Sequence, residues 1–432
     1  MKVWFKILLG VGIGVLLGML IPSGGDSTQN WGLVIQDYLT HMDTKPMPPP
    51  AAWAQILTDF FLRLGRYTLF PLVFFSLAVG VHDLQKEKKL GKVMVRSVFY
   101  MLLLTFLLVL LGSLIILLVS PQPIPITSRK ESQLIFKNIG DTFANILPKN
   151  AFQILTGGED FLLPLYVLSF ILGLNLNFDK DMSRPVADFF DSASRIFYHI
   201  NSFYVEIMAV GMVALSSYFI FQLRSIQQFQ LFIQVFIVLL FVFLLVVFAL
   251  FPGILWLFNR RENPYKWIFG LLGAGVSGLI TGDNFFALGP LMRFSRENLG
   301  IPRKVGAVNL PLFAMFSRGG TAMTASIAFF VILKSYVQLD ITFDQIFFTV
   351  LFSFLLSFAI PSVPTLASYV TLSVLCGIYG KGYEAGFTNL QPIIPLLVSF
   401  ATAIDILGAG LVSLMVSKDL GLQKEIKLKS FI

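Results

Sequence analysis

Residues 316–330 read FSRGGTAMTASIAFF, inside an apolar run from Val305 to Leu333 whose one charged residue is Arg318. A run of this length is enough to cross a bilayer, which takes about 20 apolar residues as a helix. An arginine at the centre of hydrocarbon costs roughly 2.5–3.5 kcal/mol on insertion scales. The two glycines that follow it loosen a helix. The stretch therefore predicts an interrupted span, with a buried cation that faces protein instead of lipid.

The rest of the chain has the same character. Of its 432 residues 56% are hydrophobic and only 13% charged, with a mean hydropathy of +0.79. Soluble domains carry about 25% charged residues, so an all-α polytopic protein of the lipid bilayer is expected. Apolar runs at 94–119, 229–258 and 392–417 are each long enough to span. The 45 phenylalanines suit lipid-facing helix surfaces. Net charge is +8, but the basic residues sit in short clusters between the runs. Membrane topology demands that distribution, and it argues against nucleic acid as a partner. One cysteine (Cys376) and three scattered histidines (His41, His82 and His199) exclude a disulfide framework and a His/Cys metal site. With no nucleophile–base pair within the spans, neither an enzyme nor a cofactor is expected. The N-terminal MKVWFKILLGVGIGVLLGMLIPSGG lacks an A-x-A cleavage site and reads as an uncleaved first span.

Basic clusters orient the spans. Lys2 and Lys6 put the N-terminus in the cytoplasm, and Lys86, Lys88, Lys89, Lys92 and Arg96 mark the next cytoplasmic loop. Spans are expected at about 5–21, 56–81, 94–119, 152–176, 189–222 and 229–258. Residues 267–281 and 284–292 are too short to span separately, and both flanks are basic. A re-entrant hairpin at about 266–294 fits, since non-helical backbone at membrane depth needs protein or a cavity around it. A span at about 305–333 follows. Pro361 and Pro364 then break residues 345–380 into two apolar arms. A second hairpin there, opening from the outside, returns the lysines after the last span (392–417) to the cytoplasm. The expected fold is eight transmembrane helices plus two re-entrant helical hairpins, with both termini inside a plasma (inner) membrane. Paired interrupted segments of this kind point to a midplane binding site in transporters.

The stretches FLRLGRYTLFPLVFFSLAVG (61–80), ILPKNAFQILTGGEDFLLPLYVLSFILGLNL (146–176) and RFSRENLGIPRKVGAVNLPL (293–312), followed by GGTA, carry a likeness. The chain resembles the dicarboxylate/amino acid:cation symporter family, the glutamate and aspartate transporter homologues, over nearly its whole length. The resemblance implies an elevator-type homotrimer. Residues 1–93 and 121–226 would form the fixed scaffold, and 94–120 with 227–432 the transport domain that carries substrate.

It also implies candidate site residues. The family's Ser-rich first hairpin tip corresponds to Thr281, Gly282, Asp283 and Asn284. Its Asn-Met-Asp-Gly-Thr motif corresponds to Ser317, Arg318, Gly319, Gly320 and Thr321, so the motif's Asn and Asp are lost. The Tyr-x-x-Thr-Ser sodium ligands fall on Tyr100, Leu103 and Leu104, leaving Tyr100 as a residual cation ligand. The second hairpin tip runs Ile360 to Thr365 and includes Ser362, Val363 and Pro364. The last span has Asp405 but no Arg or Asn; Asp419, among lysines, reads as a solvated charge.

Sodium needs several oxygen ligands to replace its hydration shell. Loss of most of them points to weak or absent sodium coupling, with H+ or Na+ as the coupling ion. Three readings of Arg318 stand. It is a tethered cation in the space sodium fills in relatives, bonded to broken-helix carbonyls and paired with Asp405 or Asp283. Or it anchors an anionic substrate as a bidentate partner. Or it is a structural salt bridge. Asp283 reads as a helix cap, a ligand for a substrate amine or a proton carrier, and Asn284 offers amide contacts. The expected function is secondary transport of an amino acid or dicarboxylate. The alternative is a non-transporting solute sensor or locked former transporter.

Overall fold

Every regular element among the described residues is helical. The computed structural model describes residues 2–21, 49–124, 150–151, 153–156, 162–178, 180–226, 228–259, 263–336, 341–359, 365–384 and 386–432. The helices are α1 (Val3–Leu20), α2 (Pro49–Lys86), α3 (Leu90–Val119), α4 (Leu162–Asn175), α5 (Lys180–Arg224) and α6 (Phe229–Phe258). They continue with α7 (Tyr265–Thr281), α8 (Asn284–Glu297), α9 (Arg303–Phe316), α10 (Gly319–Tyr336), α11 (Phe343–Ala359), α12 (Ala367–Tyr379) and α13 (Ile394–Asp419).

Seven helices among the described residues are long and apolar enough to cross a membrane, α9 and α10 counting together as one. The expected span at 152–176 is described only as Gln153–Thr156 and α4. At 14 residues α4 rises about 21 Å, short of the ~30 Å hydrocarbon core. The expectation of eight spans is therefore met for seven within these residues.

One group of helices is built on α5, against which α1 and α2 pack, with α4 on α2. The seam between α1 and α5 is a small-residue stripe, the means by which helices approach closely where lipid removes the hydrophobic drive. A Cβ on Gly10 would lie 2.2 Å from the Ala209 carbonyl oxygen, and one on Gly14 only 2.3 Å from that of Val213. Ser217 adds a hydroxyl bond to the Gly14 carbonyl at 2.9 Å. Gly14→Leu is expected to lower stability by at least about 2 kcal/mol, because backbone cannot yield as a core side chain does. Gly12→Leu, where nothing lies within 4 Å, should leave the thermal midpoint in detergent unchanged.

The second group surrounds α13, which is buried along almost its whole length and touches α7, α8, α9, α10 and α12. Here α3 lies on α10. α7 and α8 form a helical hairpin whose turn is Gly282–Asp283. Gly282 is left-handed at φ +61°, a conformation cheap only for glycine. Asn298 clamps the hairpin base by donating to the Gly270 carbonyl at 2.8 Å. α11 and α12 form a second hairpin, clamped at its base by Gln345 Nε2 donating to the Tyr379 hydroxyl at 3.0 Å. Its tip, residues 360–364, lies outside the described residues.

Cross-links sort the connections into two ends. At one, Lys304 reaches Glu87, Arg303 reaches Asp191, Lys424 N–H donates to the Gly300 carbonyl, and Lys2 donates to the Lys429 carbonyl. The Lys304 hydrogen bond holds Glu87 below the usual carboxylate range. At the other, Lys334 meets Ser120 and Arg224 donates to the Gly18, Met19 and Ile21 carbonyls.

Within α6, Val246–Leu250 form one π-helical turn, closed by Phe251 N–H donating to the Val246 carbonyl. Pro252 follows. A proline cannot bond the carbonyl four residues back, and its ring crowds that group. The carbonyl in question, Phe248, is taken by the Tyr265 hydroxyl at 3.1 Å. The wider turn makes room for the ring and ties α6 to the first hairpin.

Candidate functional site

The apolar run 305–333 is broken where its arginine predicts. α9 ends at Phe316 and α10 begins at Gly319, with Ser317 and Arg318 between. A broken helix presents free carbonyls from one half and free N–H groups from the other, with partial charges of about half a unit at each end. Both are satisfied by charged side chains. Arg318, only 1% exposed, donates Nε to the Met315 carbonyl at 2.9 Å, in the last turn of α9. Asp405, projecting from the middle of α13, caps α10 from outside. Its Oδ1 accepts from Gly320 N–H at 2.6 Å and Thr321 N–H at 3.2 Å, and Oδ2 accepts from the Thr321 hydroxyl at 2.6 Å. Cation at the negative end and carboxylate at the positive end is the arrangement the helix dipoles favour.

The two glycines have a different purpose from the loosening expected of them. Neither has a positive φ; both belong to the first turn of α10. A Cβ on Gly320 would sit 2.4 Å from the Ala401 carbonyl oxygen, and one on Gly319 would sit 2.6 Å from Leu108 Cδ1. They let α13 and α3 close on the break.

At the first hairpin turn, Asp283 is the N-cap of α8, its Oδ1 accepting from Phe285 N–H at 2.8 Å and Phe286 N–H at 3.1 Å. Its Oδ2 accepts from Arg66 Nη2 at 2.6 Å and Nε at 3.1 Å. The expected direct pairing of Arg318 with Asp283 or Asp405 is thus corrected. Asp283 spends its second oxygen on Arg66, and both Asp405 oxygens serve α10. The Nε of Arg318 goes to the Met315 carbonyl instead. Two arginines and two aspartates make a buried cluster of zero net charge, which lowers the cost of each. Asn284 is buried beside the turn, and its Oδ1 has no hydrogen-bond partner among the described residues.

Tyr100 is elsewhere. Its hydroxyl donates to Asp419, 3.2 Å away, at the far end of α13. Fourteen residues separate Asp419 from Asp405, about 21 Å along a helix. Asp419 is also held by Arg96 at 2.8 Å, so it is half-exposed but paired. The α3 residues that face the break are Leu108 and Thr105; the Cα of Thr105 would lie 3.2 Å from a Cβ on Gly319, and its buried hydroxyl has no hydrogen-bond partner among the described residues. Ser317 is buried at the break. Ser362, Val363 and Pro364 lie outside the described residues.

Two residues escaped the sequence reading. Arg66 is a buried arginine at the edge of the uncharged stretch 67–81 of α2, which is itself the signal of a buried partner. Thr105 is the one hydroxyl in the leucine-rich stretch 101–112 of α3.

Known proteins align with most of the chain. A proton/sodium-glutamate symport protein of Geobacillus stearothermophilus is 26% identical over 399 residues, covering 89% of this chain and 92% of the relative. A C4-dicarboxylate transport protein of Anaeromyxobacter sp. (strain K) is 23% identical over 431 residues, covering 96% and 89%. A proton/glutamate-aspartate symporter of Bacillus subtilis (strain 168) is 22% identical over 429 residues, covering 96% and 94%. Residues 3–419 match the profile of the sodium:dicarboxylate symporter family. These are multi-pass membrane transporters and not enzymes, as the composition and the broken, charge-capped helix pair lead one to expect. The chain belongs to the sodium:dicarboxylate symporter family.

Proposed function

We propose that this protein is a secondary active transporter of the elevator type, carrying an amino acid such as glutamate, or a C4-dicarboxylate, with weak or no sodium coupling. The relatives' names supply the substrate class. The observation that carries the coupling proposal is the Arg318 guanidinium bonded to the Met315 carbonyl at the break. A guanidinium is permanently charged and has five donors, so it supplies the positive charge that the oxygen-poor motif Ser317-Arg318-Gly319-Gly320-Thr321 no longer gathers from solution. Asp405 then serves as the cap of α10 or carries the coupled proton.

In this reading α1, α2, α4 and α5 are the fixed scaffold and assemble as a homotrimer. α3, with everything from residue 227 onward, moves as the transport domain. The packing of α1 and α2 on α5, and of α3 on α10, supports that division. The two hairpins are re-entrant from opposite sides of the plasma membrane. Both termini are cytoplasmic, an orientation supported by the contact of Lys2 with Lys429 at the end that gathers Lys304 and Arg303.

Counterflow in proteoliposomes tests the function. Labelled glutamate or C4-dicarboxylate should exchange with sodium absent from both sides; strict dependence on sodium overturns the tethered-cation reading. A non-transporting sensor of the same fold is the second reading, favoured by the buried Arg66–Asp283 link between α2 and the hairpin. It predicts solute binding without exchange under any ionic condition.

A further inference from the structure

The second arm of the first hairpin and the start of α9 are joined to α2 and α5 by a row of polar contacts. Asn201 donates to the Gly289 carbonyl at 3.0 Å, Arg293 meets Glu206 at 2.9 Å, Tyr198 donates to Glu297 at 2.9 Å, and Arg303 meets Asp191 at 2.7 Å. Lys304 and Glu87 complete the row. Each of the ion pairs after the turn has at least one partly exposed end, 49% for Glu206 and 35% for Asp191. Water replaces such partners at small cost, so these pairs slow no motion much.

The pair at the top of the row differs. The side chains of Arg66 and Asp283 are 8% and 0% exposed. Separating a buried pair without replacement leaves charges uncompensated, a far larger cost than for a surface pair. The turn also fits its seat closely: a Cβ on Gly65 would lie 2.9 Å from Phe286 Cδ2 and 2.7 Å from the Tyr204 hydroxyl. That hydroxyl in turn donates to the Phe61 carbonyl.

We infer that Arg66 is a positioning residue whose ion pair with Asp283 latches the turn of the first hairpin to α2, so that the turn leaves α2 only when this pair opens. The functional consequence rests on the transport reading above: opening the latch limits the rate of exchange.

The test uses the full chain in proteoliposomes. R66Q/D283N keeps folding in hand, because asparagine caps a helix as well as aspartate and two amides can still bond each other. This variant is expected to exchange substrate, at saturating concentration, at least about tenfold faster than wild type, a barrier change of about 1.4 kcal/mol. In a Cys376→Ala background, R66C/D283C bridged by a short bis-methanethiosulfonate should lose at least about tenfold in exchange at saturating substrate relative to the unbridged protein and recover on reduction. A bridged protein that exchanges at the unbridged rate overturns the latch, as does a neutral variant with unaltered rate. If wild type itself shows no counterflow, the transport reading fails separately. The latch is then judged by the distance between spin labels at Ser192 on α5 and Lys424, which is hydrogen-bonded to Gly300 beside the hairpin. A longer population in R66Q/D283N upholds it, and an unchanged distribution overturns it.

Discussion

Arg318→Met is expected to lower sodium-free counterflow at least about 100-fold, equivalent to about 2.7 kcal/mol. The substitution restores the residue type that the resembled motif carries at this place, fills much of the same volume and removes only charge and donors. It leaves the Met315 carbonyl without its Nε partner and gives Asp405 and Asp283 one positive charge fewer between them. Removing one member of a buried charge cluster costs about 3–5 kcal/mol, so the expected loss is conservative. The accompanying measurements decide among the three readings. Retained binding with exchange that now rises on adding sodium supports the tethered cation. Loss of binding with no response to sodium makes Arg318 the substrate anchor. Unaltered exchange leaves it a structural pin. Arg318→Lys should recover little, because an ammonium keeps the charge but not the planar fork.

Asp405→Ala has the next largest expected effect, and on stability before transport. α10 starts inside the protein, where water does not reach its first N–H groups, and Asp405 alone accepts from Gly320 N–H, Thr321 N–H and the Thr321 hydroxyl among the bonds seen there. Hydrogen bonds to an ionised group are worth about 1.5–3 kcal/mol each. Since three that share one carboxylate are not additive, a loss of about 3–5 kcal/mol is expected, read as a lower unfolding midpoint in detergent. Asp405→Asn keeps one acceptor oxygen and should cost about half as much. A cost under about 1 kcal/mol for the alanine variant would show that the break is held by something other than this cap.

Much of the break and of the first hairpin is legible in the residues because the signals are local. An arginine followed by two glycines cannot continue an apolar helix facing lipid, and Thr281-Gly282-Asp283-Asn284 spells a left-handed residue followed by a cap. What the sequence conceals is long-range or lacks a phase. Arg66 and Asp283 are 217 positions apart, and nothing in the periodicity of either segment names the other. In α3 the obstacle is different. The helix is apolar nearly all round, and such a helix carries no amphipathic stripe by which to set its rotation. The resemblance sets the motif on Tyr100, Leu103 and Leu104, whereas the side facing Gly319 belongs to Thr105 and Leu108. The reading of Gly320 missed for a third reason: whether a glycine serves flexibility or close approach depends on its neighbour, here the Ala401 carbonyl on another helix.

The wide turn at Val246–Leu250 has a consequence for anyone comparing this chain with its relatives. One surplus residue in a helix rotates everything beyond it by about 100°. An unbroken helical wheel drawn through residues 229–258 therefore assigns Phe251 and Leu255 to the wrong face, although both are buried. An alignment with a relative whose sixth helix keeps regular pitch must open a one-residue gap there. Deleting a single residue from the turn would restore regular pitch and keep Phe251 and Leu255 on the face they now bury, while taking away the room that the wider turn makes for the ring of Pro252.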